Sequence, residues 1–135
     1  MLGGTIEVKR YSEKALATLV LLASAHCAFA QSLSEVLAQL AENLSIVRAA
    51  SGDEPVGAEP IDVEVLLGVS RSVVADALGS PDNCEQLASE ECSSKSQWLF
   101  GFYYLPPGWR GGGPELWLDF NSAGEVEKAE WHFSR

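Results

Sequence analysis

The chain has 135 residues, with 9 basic and 19 acidic side chains and a formal net charge of −10. Such a surface repels phosphate backbones and anionic headgroups, which argues against nucleic acid as a partner. The length suits one small domain with a single core.

Lys9, Arg10 and Lys14 precede the apolar run ALATLVLLASA, and Ala28-Phe29-Ala30 supplies the small residues that signal peptidase takes. Residues 1–30 therefore read as a signal peptide cleaved after Ala30. The run is shorter than the roughly 20 residues that span a bilayer, and His26 interrupts it, so an uncleaved anchor is the alternative. Cys27 follows His26, where a lipoprotein signal has a small residue, so lipid anchoring is not expected. Removal of the leader leaves six basic and seventeen acidic residues, a net charge of −11 over residues 31–135. The mature chain is expected in the periplasm or secreted.

The next stretch, SLSEVLAQLAENLSIVRAA, repeats Leu33, Val36, Leu37, Leu40, Leu44 and Val47 at three and four residues, the stripe of an amphipathic helix over residues 31–50. SGDEPVGAEP, residues 51–60, has linker chemistry, which leaves open whether the helix docks on the domain or on a partner. In IDVEVLLGVSRSVVADALGSPDNC, Ser70 is placed to cap a helix, Val69 and Val74 to staple its first turn, and Gly79 with Pro81 to end it. This predicts a helix from Arg71 to Leu78.

Cys84 and Cys92 are the two cysteines after the leader, and an even pair in an oxidising compartment reads as a disulfide. Two cysteines and His132 are too few for a zinc site, and the spacing is not C-x-x-C. No metal or other cofactor is expected.

Three strands follow. Trp98, Phe100, Phe102 and Tyr104 alternate in QWLFGFYY, Leu116, Leu118 and Phe120 in ELWLDF, and Ala129, Trp131 and Phe133 in EVEKAEWHF. A tight turn at 121–124 pairs the last two antiparallel. The opposite faces carry Leu99, Gly101, Tyr103, Trp117 and His132, so one side of the sheet is expected to show an aromatic strip. The fold class is α+β, N-terminal helices packed on a small antiparallel sheet of about three strands.

Between the first two strands lies LPPGWRGGGP, residues 105–114. Its length exceeds that of ordinary hairpin loops and points to a binding loop, with Trp109 and Arg110 at its tip as the residue types that anchor protein interfaces. The alternative is a long turn with Trp109 folded over the core edge. The glycine run lacks the Lys-Ser/Thr and following helix of a phosphate cradle. The candidate binding residues are thus Tyr103, Trp109, Arg110 and Trp117.

No Ser-His-Asp, Cys-His or G-x-S-x-G arrangement is legible, so a non-enzyme is expected. Glu115 and Asp119, on one strand face with Trp117, are the carboxylates that a small hydrolase would use.

Gly68, Ser70, Val74, Leu78, Gly79, Pro81, Trp98, Phe120 and Gly124 carry a pattern of helix start, Leu-Gly-x-Pro stop, aromatic strand and Phe-x-x-x-Gly hairpin. Over roughly residues 61–133 this resembles the SmpA/OmlA (BamE-like) domain of small envelope proteins, and residues 61–135 are read as that domain. The fold is also similar to the domains of the secreted β-lactamase inhibitor proteins. The first resemblance implies an α+β envelope domain that assists outer-membrane assembly through a protein partner. The second implies an enzyme-inhibitor-like binding protein.

Overall fold

The computed structural model describes residues 31–84, 92 and 96–135. The signal peptide and its cleavage site lie outside the described residues. Helix α1, Leu33–Ala49, begins where the Ser32 hydroxyl accepts from the Glu35 N–H at 3.2 Å, and it buries Val36, Leu37, Leu40, Leu44 and Val47. These belong to one core cluster with the sheet, so the helix docks on its own domain. No helix among the described residues is long and apolar enough to cross a membrane.

A 3-10 turn at Glu64–Leu66 leads into helix α2, Arg71–Leu78. Ser70 caps α2 through the Val73 N–H at 3.4 Å, Val69 and Val74 are buried beside it, and Gly79 ends it at φ 77°. That backbone angle favours glycine over any residue with a Cβ. The Cys84–Cys92 disulfide follows, with its Cα atoms 5.4 Å apart and both side chains in the core. The Trp98 indole donates to the Cys92 carbonyl at 2.7 Å, which ties the bridged loop to the sheet.

The chain forms two small antiparallel sheets. Strands β2 (Gln97–Gly101), β4 (Pro114–Phe120) and β5 (Val126–Phe133) lie in the order β2-β4-β5, while β1 (Val56–Gly57) pairs with β3 (Tyr103–Tyr104). The turn after β4 is held by the Asn121 side-chain oxygen, which accepts from Ala123 and Glu125 N–H at 3.0 Å each. A bulge then makes Glu127 the extra residue of β5, with Asp119 opposite Lys128 and Phe120 opposite Val126. The bulge changes the parity and turns Val126 into the core.

Three details differ from the sequence reading. The expected strand from Trp98 to Tyr104 breaks at Phe102. Phe102 N–H donates to the Pro114 carbonyl at 2.9 Å, but proline has no N–H to complete the rung. The Phe102 carbonyl is taken instead by Ala58 N–H at 3.0 Å. Tyr103 and Tyr104 therefore leave for the second sheet, and Tyr104 is only half-buried. The stretch 51–60, read as a linker, supplies β1, and the Tyr104 hydroxyl donates to the Gly52 carbonyl at 3.1 Å. Phe133, expected on the inner face with Ala129 and Trp131, is 69% exposed on the last rung of its ladder, opposite Pro114.

Candidate functional site

Strand alternation sorts the three-stranded sheet into two faces. The inner face carries Trp98, Phe100, Leu116, Leu118 and Phe120, all buried in the cluster that contains the apolar stripes of α1 and α2. On the outer face, Leu99 lies opposite Trp117 and Trp117 opposite Glu130. Leu99 and Trp117 are half-buried. The Trp117 ring lies 4.4 Å from the His132 ring at an interplanar angle of 30°. His132 Nε2 is 3.3 Å from a Glu130 carboxylate oxygen. Trp117 is thus held in place without being covered.

Tyr103 stands beside this strip. Its ring packs over the backbone of Gly113, where a Cβ would approach the Tyr103 Cβ to 2.6 Å, and its hydroxyl accepts from Ser134 Oγ at 3.1 Å. A Cβ at Gly112 would collide with Ser134. This close packing accounts for the last two glycines of the run, which make room for a tyrosine and a serine.

At the loop tip Gly108 has φ 87°, and Trp109 N–H donates to the Pro106 carbonyl at 3.1 Å. Trp109 is 53% exposed and Arg110 is exposed. Among the described residues no ring contact or hydrogen bond joins either side chain to Tyr103 or Trp117. The four candidate binding residues therefore form two groups, a Tyr103/Trp117 region on the sheet and a Trp109/Arg110 tip.

An open cleft of about 480 Å³ adjoins the sheet region, lined by Arg48, Asp82, Leu99, Tyr103, Tyr104 and Glu115 among others. Arg48 donates to the Leu78 and Ser80 carbonyls at 3.4 and 3.3 Å and lies 3.7 Å from Asp82. The other Asp82 oxygen accepts from Gly101 N–H at 2.7 Å. Arg48 and Asp82 carry no role in the sequence reading, and Tyr104 enters it only as a strand residue of the inner face. Arg48 is the sole basic residue between Ser32 and Ser70, a signal that could have marked it.

The carboxylates Glu115 and Asp119 lie on the same face of β4, on either side of Trp117. Four residues along one strand place their backbones about 13 Å apart. Each also has another partner, Trp117 Nε1 at 3.4 Å from Glu115 and Gln97 Nε2 at 2.9 Å from Asp119. Among the described residues no group of three or more His, Cys, Asp or Glu side chains is arranged to hold a metal ion. Comparison with family models, curated proteins and solved structures returned no match.

Proposed function

We propose that this chain is a non-enzymatic protein-binding module of the bacterial cell envelope, exported by the leader at residues 1–30. It engages its partner through the outer face of the three-stranded sheet. The observation that carries the reading is the position of Trp117, half-buried against His132 and opposite Leu99, on the face turned away from the core that holds the apolar stripes of the helices. An aromatic fixed by its neighbours loses little side-chain freedom on docking, which is what makes tryptophan an interface anchor. Trp109 and Arg110 supply a second contact at the loop tip. The proline pair before the tip restricts the loop, so less order is lost there on binding. The resemblance of residues 61–133 to the SmpA/OmlA domain supports a role in outer-membrane assembly. The similarity to β-lactamase inhibitor domains gives the second reading, a soluble enzyme as target.

Photo-crosslinking in the living envelope tests this. A crosslinker at Leu99 or Trp109 is expected to give one discrete adduct, and a crosslinker at Glu42, on the exposed side of α1, none. An outer-membrane assembly component in the adduct supports the first reading and a soluble enzyme the second. Equal crosslinking from all three positions would remove the outer face from the account.

A further inference from the structure

Beyond Val126 the backbone along the outer edge of β5 is unpaired among the described residues, and the Trp131 indole donates there to the Ile61 carbonyl at 2.8 Å. Phe120 N–H donates to Ser96 and Phe102 N–H to Pro114, so the even-numbered residues of β4 direct their backbone polar groups toward β2. Ser134 N–H donates to Gly113, so the even-numbered residues of β5 turn theirs toward β4. By alternation, Ala129, Trp131 and Phe133 point their N–H and C=O groups away from the sheet. At Glu125 and Val126 the edge is occupied, through the bridge to Ser70 and the bonds between Val126 and the Gly68–Val69 backbone. Beyond Val126, no backbone hydrogen bond from the described residues outside the sheet reaches this edge.

Such edges are normally blunted by proline or by inward-pointing charge. Here the residues with outward backbone groups are alanine, tryptophan and phenylalanine, and Phe133 is the most exposed large apolar residue described. We propose that β5 pairs antiparallel with β5 of a second copy of this chain, about a two-fold axis through Trp131, to give a continuous six-stranded sheet.

The register follows from the side chains. Centred on Trp131, Glu130 faces the partner's His132, and Ala129 faces the partner's Phe133. Continued outward, the pairing sets Glu127 against the partner's Arg135. Glu127 thus meets an arginine, Glu130, already 3.5 Å from Lys128 and 3.3 Å from His132 of its own chain, meets a second imidazole, and the exposed phenylalanine meets a small apolar residue. A register centred on Ala129 would run the partner's Phe133 across Glu125, where Ser70 already bridges. Placing the axis at Trp131 uses residues 127–135 and clears that block. The net charge of −11 on each copy after removal of the leader opposes association at long range. The dimer is therefore a concentration-dependent equilibrium. It goes beyond the protein-binding reading, since it uses an edge of the sheet and leaves both outer faces open.

Sedimentation velocity of the purified protein over a dilution series, with circular dichroism as the control for folding, provides the test. The parent is expected to shift from monomer to dimer with concentration. Phe133→Pro, which removes an outward N–H at an exposed position, is expected to stay monomeric while folded. Cysteine pairs check the register and do not depend on that variant folding. An equal mixture of Glu130→Cys and His132→Cys chains should form a disulfide-linked dimer in higher yield than either alone, because these positions face each other across the axis. A parent that remains monomeric throughout, a folded Phe133→Pro that dimerises like the parent, or equal crosslinking in all three cysteine samples would each overturn the proposal.

Discussion

The inner and outer faces of the three-stranded sheet come from the same strands, residue by alternate residue, and they differ in what their aromatics touch. Trp98 on the inner face is 3% exposed, donates to the Cys92 carbonyl and lies edge-on to Phe120 at 4.8 Å. Trp117 on the outer face rests on one imidazole, donates to a Glu115 carboxylate oxygen at 3.4 Å and is half-buried. The comparison teaches that aromatic content alone says little. A tryptophan packed between strand aromatics and the disulfide is sealed into the core, whereas one positioned by its own sheet stays half-exposed.

The sharpest way to break this comparison is from the inside. Phe100 is fully buried, and Phe100→Ala is expected to cost about 3 to 5 kcal/mol in a denaturant melt. A loss below about 1 kcal/mol would mean that the inner face is not the core. Next in size is the disulfide. Replacing Cys84 and Cys92 together by serine removes a short loop closure worth about 2 to 3 kcal/mol in the chain-entropy model. The same change should alter the near-UV circular dichroism of Trp98, because the Cys92 carbonyl holds its indole. Ser70→Ala removes the cap of α2 and is expected to cost about 1 kcal/mol by the same melt. Trp109→Ala, at the exposed loop tip, is expected to change stability by no more than about 0.5 kcal/mol. A larger loss would mean that Trp109 packs on the core after all.

Much of the fold was legible in the sequence because its signals are local. Ser70, Val69, Val74 and Gly79 lie within one short stretch, and together they set both ends of α2. The hairpin turn is legible for the same reason, since Asn121 and Gly124 act on their immediate neighbours. The break at Phe102 is not local. It depends on the missing N–H of Pro114, far along the chain, and on Ala58 arriving from the other side to take the freed carbonyl. Period-two alternation carries straight through such a break, so it puts Tyr104 on the inner face and leaves 51–60 without a strand to pair with. Alternation likewise gave the face of Phe133 but could not say that its ladder ends there.

For the candidate site, alternation did place Leu99 and Trp117 opposite the core-facing residues, and loop length marked Trp109 and Arg110 as a tip. What it could not supply was proximity. The lining of the cleft by Arg48 and Asp82 depends on α1 ending near the segment that follows α2, a tertiary contact made through the Leu78 and Ser80 carbonyls.

The most direct test of the division between the faces is Trp117→Ala, measured for unfolding stability and for yield of the Leu99 crosslinked adduct in the same preparation. The account predicts a stability loss of no more than about 1.5 kcal/mol, from the lost stacking on His132, together with an adduct yield reduced about tenfold or more. A stability loss of about 3 kcal/mol or more with the adduct retained would contradict it, showing that Trp117 belongs to the core and that the outer face is not where the partner binds.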